Sequence, residues 1–418
     1  MLTEREEAYR VLLLWQKEGT FIKESGIPPF AMEVALGVCR RHLYLQYFIK
    51  SLVKRMPSVE VCTILEMGLF QMFFMDVPDY AAIDSCVELA KSANLGEGAV
   101  RLTNAVLRSA RRSGVPALPS QRVRRVSIEN SIPEWLVRRW FDVYGGDRAE
   151  SIARSTLERP AEWIRVNLQK ISAPVLAEKI GITGSSILDD RFIEIPRDVG
   201  VKVLLALPEF SAGMFSFQNP SAYDVVKLLD ARPGMKVWDA CAAPGGKSAL
   251  MAEMDPTLDI LASDSSEFRL EKMKDLMDRL GLSNVRLESI DALSPLAGVE
   301  HADAFASKFD RILLDVPCSN MGVIARRPES VYRLTPESIT ELTNLQYGIL
   351  EHASEMLKQD GRLVYATCSP DPAETTQVVN RFVKAHPEFV KVGDPVLPGS
   401  RDARFDGFFA QALERKKS

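Results

Sequence analysis

From Lys236 onward, short apolar runs alternate with stretches of helical period, and this alternation restricts the fold more than any other feature of the chain. The first unit is KVWDACAAPGGK, Lys236 to Lys247. Val237 and Trp238 run into Asp239, small residues and a Pro-Gly-Gly turn follow, and an apolar helical pattern opens at Ser248. That order predicts strand (Lys236–Ala240), tight loop, helix. Further strands are expected at Asp259–Asp264, Val285–Ser289, Phe309–Leu314 and Gly361–Ala366. Helices are expected at Ser266–Leu280, with Gly281 as its C-terminal stop, and at Ser338–Leu357. Phe389–Val392 and Phe408–Leu413 read as closing strands. Such alternation implies a mainly parallel, doubly wound sheet, with ligands at the carboxyl ends of its strands.

The loop from Cys241 to Lys247 can be read in three ways. A P-loop needs G-x-x-x-x-G-K-[ST]; Gly246-Lys247-Ser248 supplies its end, but Cys241 stands at the first glycine. A dinucleotide fingerprint needs G-x-G-x-x-G, which is absent. An S-adenosylmethionine loop needs close backbone approach without a triphosphate cradle. The acids favour the third. Asp264 ends the second strand where a carboxylate can grip ribose hydroxyls, Asp291 follows the third within reach of an adenine edge, and Asp315 ends the fourth. Each alone is an ordinary turn or capping residue; together they mark one edge of the sheet.

Two cysteines sit at strand ends on that edge: Cys318 in Asp315-Val316-Pro317-Cys318, and Cys368 in Thr367-Cys368-Ser369-Pro370. A lone cysteine there is ordinarily an inert small residue. Two beside a methyl-donor loop suggest thiolate chemistry. Carbon 5 of a pyrimidine is a poor nucleophile, but a thiolate added at carbon 6 makes it enamine-like and able to attack a methylsulfonium. A base must then remove the carbon-5 proton so that the thiolate can leave.

The rest of the chain is differently built. Residues 1 to about 112 show helical periods, as in Ala8, Leu12 and Trp15, separated by turns at Pro28-Pro29, Pro57 and Pro78. Cys39, Cys62 and Cys86 read as small core residues, and His42 as a helix-face residue. Residues 127–212 read as a small α+β module in which Ile164-Arg165-Val166 forms a short strand. The division expected is 1–126, 127–212 and 213–418. The net charge of -4 does not announce a nucleic-acid binder, so local clustering must carry that argument. Arg101 to Arg125 holds seven arginines (Arg101, Arg108, Arg111, Arg112, Arg122, Arg124, Arg125) and no acid, a solvated face or part of an RNA-binding surface. No CxxC pair suggests a metal site. The N-terminus lacks a signal-peptide core, and Val61–Val77 is interrupted by Glu66, Gln71 and Asp76, so a cytoplasmic protein without a membrane span is expected.

KVWDACAAPGGK, FDRILLDVPCS and GRLVYATCS together resemble the RNA 5-methylcytosine methyltransferases, of the bacterial ribosomal RNA (RsmB/Sun/Fmu) type. FQNPSAYDVV and DGFFAQAL extend the resemblance, and AAIDSCVELAK and RLTNAVLRSARR are similar to the NusB-like helical domain of that subfamily. The resemblance implies three parts: an N-terminal all-α NusB-like bundle that binds RNA, a small α+β linker module, and a C-terminal α/β Rossmann-like methyltransferase domain. It also implies roles. Cys368 would be the nucleophile and Cys318 the thiol that helps release product. Spacing alone leaves these two exchangeable. Asp315 would hold the cytosine N3 edge near the methyl donor. Asp264 and Asp291 would bind ribose and adenine. Cys241, Ala242, Ala243, Pro244, Gly245, Gly246 and Lys247 would line S-adenosylmethionine, and Arg269 matches a basic position. The substrate implied is 16S ribosomal RNA, accessible or partly assembled, met by a monomer without metal.

The chain departs from the family pattern at three places. Glu374 is followed by Thr375 where Asn is frequent, Arg326-Arg327-Pro328 lacks a His, and Asn219 follows Gln218 where an acid is common. These bear on positioning and RNA-site choice. Arg326, Arg327 and Arg333 are phosphate-binding candidates or a solvated loop. The rival readings are a transfer RNA methyltransferase, a non-catalytic RNA-binding assembly factor and a P-loop NTPase.

Overall fold

The computed structural model describes residues 3–158, 160–294, 309–397 and 406–416. The chain forms two compact units. One comprises Met1–Arg159 with Ile324–Leu334, the other Pro160–Val323 with Thr335–Ser418.

The first unit is helical. Thr3 and Glu6 form a capping box at the start of the helix Glu4–Glu18, and Gly19 ends it in a left-handed conformation. Ala8, Val11, Leu12 and Trp15 form its buried stripe, at the helical spacing read from the sequence. The helix Val59–Phe74 runs through the core, with every residue from Val61 to Gln71 buried. That is why its apolar stretch is so long. Its polar groups are paired: Glu66 accepts from Gln16 (3.1 Å) and Gln46 and contacts His42 Nδ1 (3.2 Å), while Gln71 accepts from Arg5 (2.8 Å). Cys39, Cys62 and Cys86 are buried free thiols, and burial pushes Cys62 to about 11 and Cys86 to about 12. Helices Arg122–Asn130, Glu134–Tyr144 and Gly146–Ser155 fall in this unit. No helix among the described residues is long and apolar enough to cross a membrane.

The second unit holds two sheets. The smaller is antiparallel, with β1 (Glu162–Val166), β2 (Ile187–Leu188), β3 (Phe192–Ile195) and β4 (Phe215–Phe217) in the order β2-β3-β1-β4. Ile164, Val166, Ile193 and Phe215 bury one face of it with Leu176 from the helix Ala173–Lys179. The larger contains β5 (Lys236–Asp239), β6 (Asp259–Asp264), β7 (Val285–Ser289), β8 (Phe309–Asp315), β9 (Leu357–Thr367), β10 (Phe389–Val396) and β11 (Phe409–Arg415). Its order among the described residues is β10-β11-β9-β8-β5-β6-β7. Strands β5 to β9 are parallel and the closing pair is antiparallel. The expected strands and intervening helices are present, within a few residues at their ends. β9 begins four residues before the expected Gly361, because Leu357 pairs with Phe309 before a register shift.

Each parallel crossover returns the chain to the same edge, so β5, β6, β8 and β9 deliver Asp239, Asp264, Asp315 and Thr367 there. The order reverses at β5, flanked by β6 on one side and β8 on the other. This is the switch point at which doubly wound sheets open a crevice. Trp238, stacked on Phe309 at 5.6 Å, and its Nε1–H to Ser263 (2.9 Å) pin β5 in the core.

Candidate active site

The loop after β5 turns into the helix Gly246–Met254. Gly245 has φ +97°, and a Cβ there would lie 2.7 Å from Met273 Cγ. A side chain is excluded by conformation and by space. Asp239 is fully buried beneath the loop. Its Oδ2 accepts from Ser248 (2.6 Å), and its Oδ1 has no partner. Burial pushes its carboxyl up to about 7, against the Ser248 hydrogen bond.

Four groups converge around this acid. Lys247 donates to Asp315 at 2.6 Å. Burial works against the Lys247 charge, but the adjacent Asp315 more than offsets it, so the ammonium is held above its usual range. Its Nζ also lies 4.7 Å from the Phe408 ring centre. Cys241 is pushed up by burial and then by Asp239, Asp315 and Asp264, so three carboxylates face this loop. Asp264 is buried and accepts from the Ser266 N–H (3.0 Å), and Arg269 pairs with it at 2.7 Å. Asp291 stands apart, exposed beyond β7, with its Oδ1 accepting from the Leu293 N–H at 3.0 Å.

Strands β8 and β9 are neighbours, as the placement of both thiols at one mouth requires. Cys318 Sγ and Cys368 Sγ are 2.6 Å apart and free. The hydrogen bond to Cys318, then burial, pushes the Cys368 thiol well up, and Asp315 adds to this. Lys247 acts in the opposite sense. The Cys368 thiol is thus held protonated at rest, with one cation, Lys247, poised to favour its thiolate.

Beneath the thiols lies a framework that spacing did not expose. Glu374, fully buried, accepts from the Ser319 N–H (2.9 Å) and hydroxyl (2.6 Å) and from Gln346 (3.2 Å). Gln346 also donates to the Pro317 carbonyl (2.9 Å), and Ser319 Oγ meets Ser369 Oγ at 3.2 Å. The residues following Cys318 and Cys368 are thus joined hydroxyl to hydroxyl, and Ser319 is anchored on the Glu374 carboxylate. Asn320, at φ +59°, donates to the Cys318 carbonyl (3.2 Å) and accepts from Cys368 Sγ (3.1 Å). At Gly322 a Cβ would fall 2.0 Å from the Gly407 carbonyl oxygen. The smaller sheet contributes Arg165, which donates to Glu253 twice (2.9 and 2.8 Å), to the Gly246 carbonyl (2.8 Å) and to Gln218. In sequence, the Glu374-Thr375 departure and the place of Ser319 at the end of FDRILLDVPCS hinted at this framework; Gln346 carries no local signal, and Arg165 only that of a strand.

Among the described residues no group of three or more His, Cys, Asp or Glu could hold a metal ion. The sheet and its glycine loop define a Rossmann-like methyltransferase fold. The crystal structure of PH0851 shares the fold over 99% of both chains, with a TM-score of 0.79 at 23% identity. That of a methyltransferase homolog protein from Pyrococcus horikoshii covers 72% of this chain and all of its own, with a TM-score of 0.58 at 27% identity.

The chain belongs to the 16S rRNA methyltransferase RsmB/F family, whose pattern matches residues 226–400. Residues 3–112 match the NusB family, and residues 132–185 the ferredoxin-like domain of RsmF/B-like methyltransferases. The "Probable ribosomal RNA small subunit methyltransferase B" of Bacillus subtilis is 33% identical, covering 99% of this chain and 96% of that protein. The "Ribosomal RNA small subunit methyltransferase B" of Shewanella oneidensis is 35% identical, covering 77% of this chain and 72% of its own.

Proposed function

We propose that this protein forms 5-methylcytosine in 16S ribosomal RNA, as a cytoplasmic monomer, by covalent thiolate catalysis. The observation that carries the reading is the pair of free thiols 2.6 Å apart, at the ends of adjacent parallel strands and beside the Lys247–Asp315 pair.

The glycine loop fits S-adenosylmethionine. Asp239 Oδ1 is a buried acceptor with no partner, and Gly245 and Gly246 leave the loop backbone bare for a ligand to approach. Residues Cys241 to Lys247 would hold it, with Asp264, Asp291 and Arg269 toward its ribose and adenine. When bound it supplies an electrophilic methyl group as a sulfonium. Asp315 holds the cytosine N3 edge. Cys368, as thiolate, adds to carbon 6, and the new C–S bond leaves carbon 5 nucleophilic for methylation. Cys318, as thiolate, then removes the carbon-5 proton and becomes a thiol; the electron pair restores the 5,6 double bond, the C6–S bond breaks, and Cys368 departs as thiolate. Lys247, beside Asp315 and close enough to act on Cys368, favours the thiolate before attack and after release. The target base must leave its stack to reach the thiols, so an accessible segment of RNA is the substrate.

The test is bisulfite mapping of cellular RNA with and without this protein, alongside two variants. Cys368→Ala abolishes turnover without a covalent species, and Cys318→Ala accumulates an RNA adduct. An adduct persisting in Cys368→Ala reverses the thiol assignment. A cytosine lost from transfer RNA instead of 16S RNA moves the substrate.

A further inference from the structure

The segment after the Cys318 loop belongs to the helical unit. The chain enters that unit at Ile324, six residues past Cys318 (324 − 318), and leaves it after Leu334. It is built in firmly. Ile324, Glu329 and Val331 are buried. The Tyr332 hydroxyl lies 2.9 Å from the Ser131 carbonyl and 3.1 Å from that of Cys39, and its ring packs edge-on against Trp15 and His42. Arg40 donates to the Ala325 carbonyl at 3.1 Å.

From this fixed backbone two exposed arginines project onto one ring. The guanidinium of Arg333 lies 4.7 Å from the Phe21 ring centre and that of Arg327 5.8 Å. Among the described residues neither has a carboxylate partner. Two like charges held against one aromatic ring repel each other, and an anion beside them relieves that repulsion. Stacking also pre-organises each guanidinium fork, so less side-chain entropy is lost when phosphate oxygens are gripped. The arginines of residues 101–125 are placed differently. Arg101 meets Glu97, Arg111 meets Asp79, Arg122 meets Asp147 and Glu150, and Arg125 meets Glu150. Those acids neutralise much of the surface expected to bind RNA.

We infer that Arg327 and Arg333, stacked on Phe21, form a contact for the RNA phosphate backbone. This rests on the RNA-methyltransferase reading and adds to it where the substrate is gripped.

The experiment measures binding of protein-free 16S ribosomal RNA to the full chain across a salt series, without cofactor. In Arg327→Ala/Arg333→Ala the slope of log affinity against log salt becomes shallower by about 2, about 1 for each phosphate contact. Arg327→Lys/Arg333→Lys keeps the slope. Phe21→Leu keeps the slope too, since both charges remain, but weakens binding several-fold. An unchanged slope in the double alanine variant overturns the inference, and an unchanged affinity in Phe21→Leu overturns the role of the ring. Cytosine methylation by the wild-type protein is scored in parallel. If that is absent while the slope still falls, the reaction assignment fails and the contact stands. If methylation is present and the slope is unmoved, the contact alone fails.

Discussion

Arg165 and Glu253 are each 1% exposed, and two hydrogen bonds of 2.9 and 2.8 Å join them. The same guanidinium donates to the Gly246 carbonyl, the first residue of the helix that follows the cofactor loop. Arg165→Met would leave a carboxylate buried without its counter-charge, a loss of about 3–5 kcal/mol. The Gly246 carbonyl also loses its donor, about 1–3 kcal/mol if it is left unpaired. The two losses overlap, so about 4–5 kcal/mol is expected. At ~2–4 °C per kcal/mol for a unit of this size, its melting transition falls by about 8–20 °C. Adding Glu253→Leu removes the stranded charge and leaves only the unpaired carbonyl. The double variant should therefore recover about 2–3 kcal/mol relative to Arg165→Met. Denaturation of the full chain, with hydrogen exchange reporting on β5 and the helix Gly246–Met254, measures all three proteins. Additive losses, or a loss under about 1 kcal/mol for Arg165→Met, would refute the buried-pair reasoning.

Three further outcomes are expected. Glu374→Ala removes the acceptor shared by Ser319 and Gln346, so turnover should fall at least about tenfold, equivalent to ~1.4 kcal/mol in the barrier, while S-adenosylmethionine affinity by calorimetry stays within about twofold. Asp239 has a folded-state value of about 7 against the ordinary 3.8, so it favours the folded state most at low pH. Its contribution is lost as pH rises between those values, and Asp239→Asn should flatten the stability profile over that window. Gly322→Ala would drive a Cβ to 2.0 Å from the Gly407 oxygen and 2.7 Å from that of Cys368. Initial rates should show turnover largely lost, and fluorescence titration should show cofactor binding retained.

The order of strands and helices, the buried helix Val59–Phe74, and the acids and thiols at strand ends were all legible along the chain. Each is a local pattern: a period, a turn signal, or a side chain placed where a strand must stop. The placement of Cys318 and Cys368 at one mouth needed only that β8 and β9 be neighbours. What packs beneath them could not be read that way. Ser319, Gln346, Glu374 and Arg165 find their partners across 28 to 88 positions of chain, and nothing in sequence says which polar groups will meet. Only the parallel crossovers and the packing of the smaller sheet place them together. The arginines show the same limit. A run of seven between residues 101 and 125 is visible as charge, but the acids that pair with four of them lie partly on other helices. Phe21 lies about 300 residues before Arg327 and Arg333 and meets them only because Ile324–Leu334 folds into the helical unit. Local sequence thus determined which chemistry reaches the edge of the sheet. The tertiary structure decided which side chains support it and which charges remain free, because pairing and burial depend on contacts between distant parts of the chain.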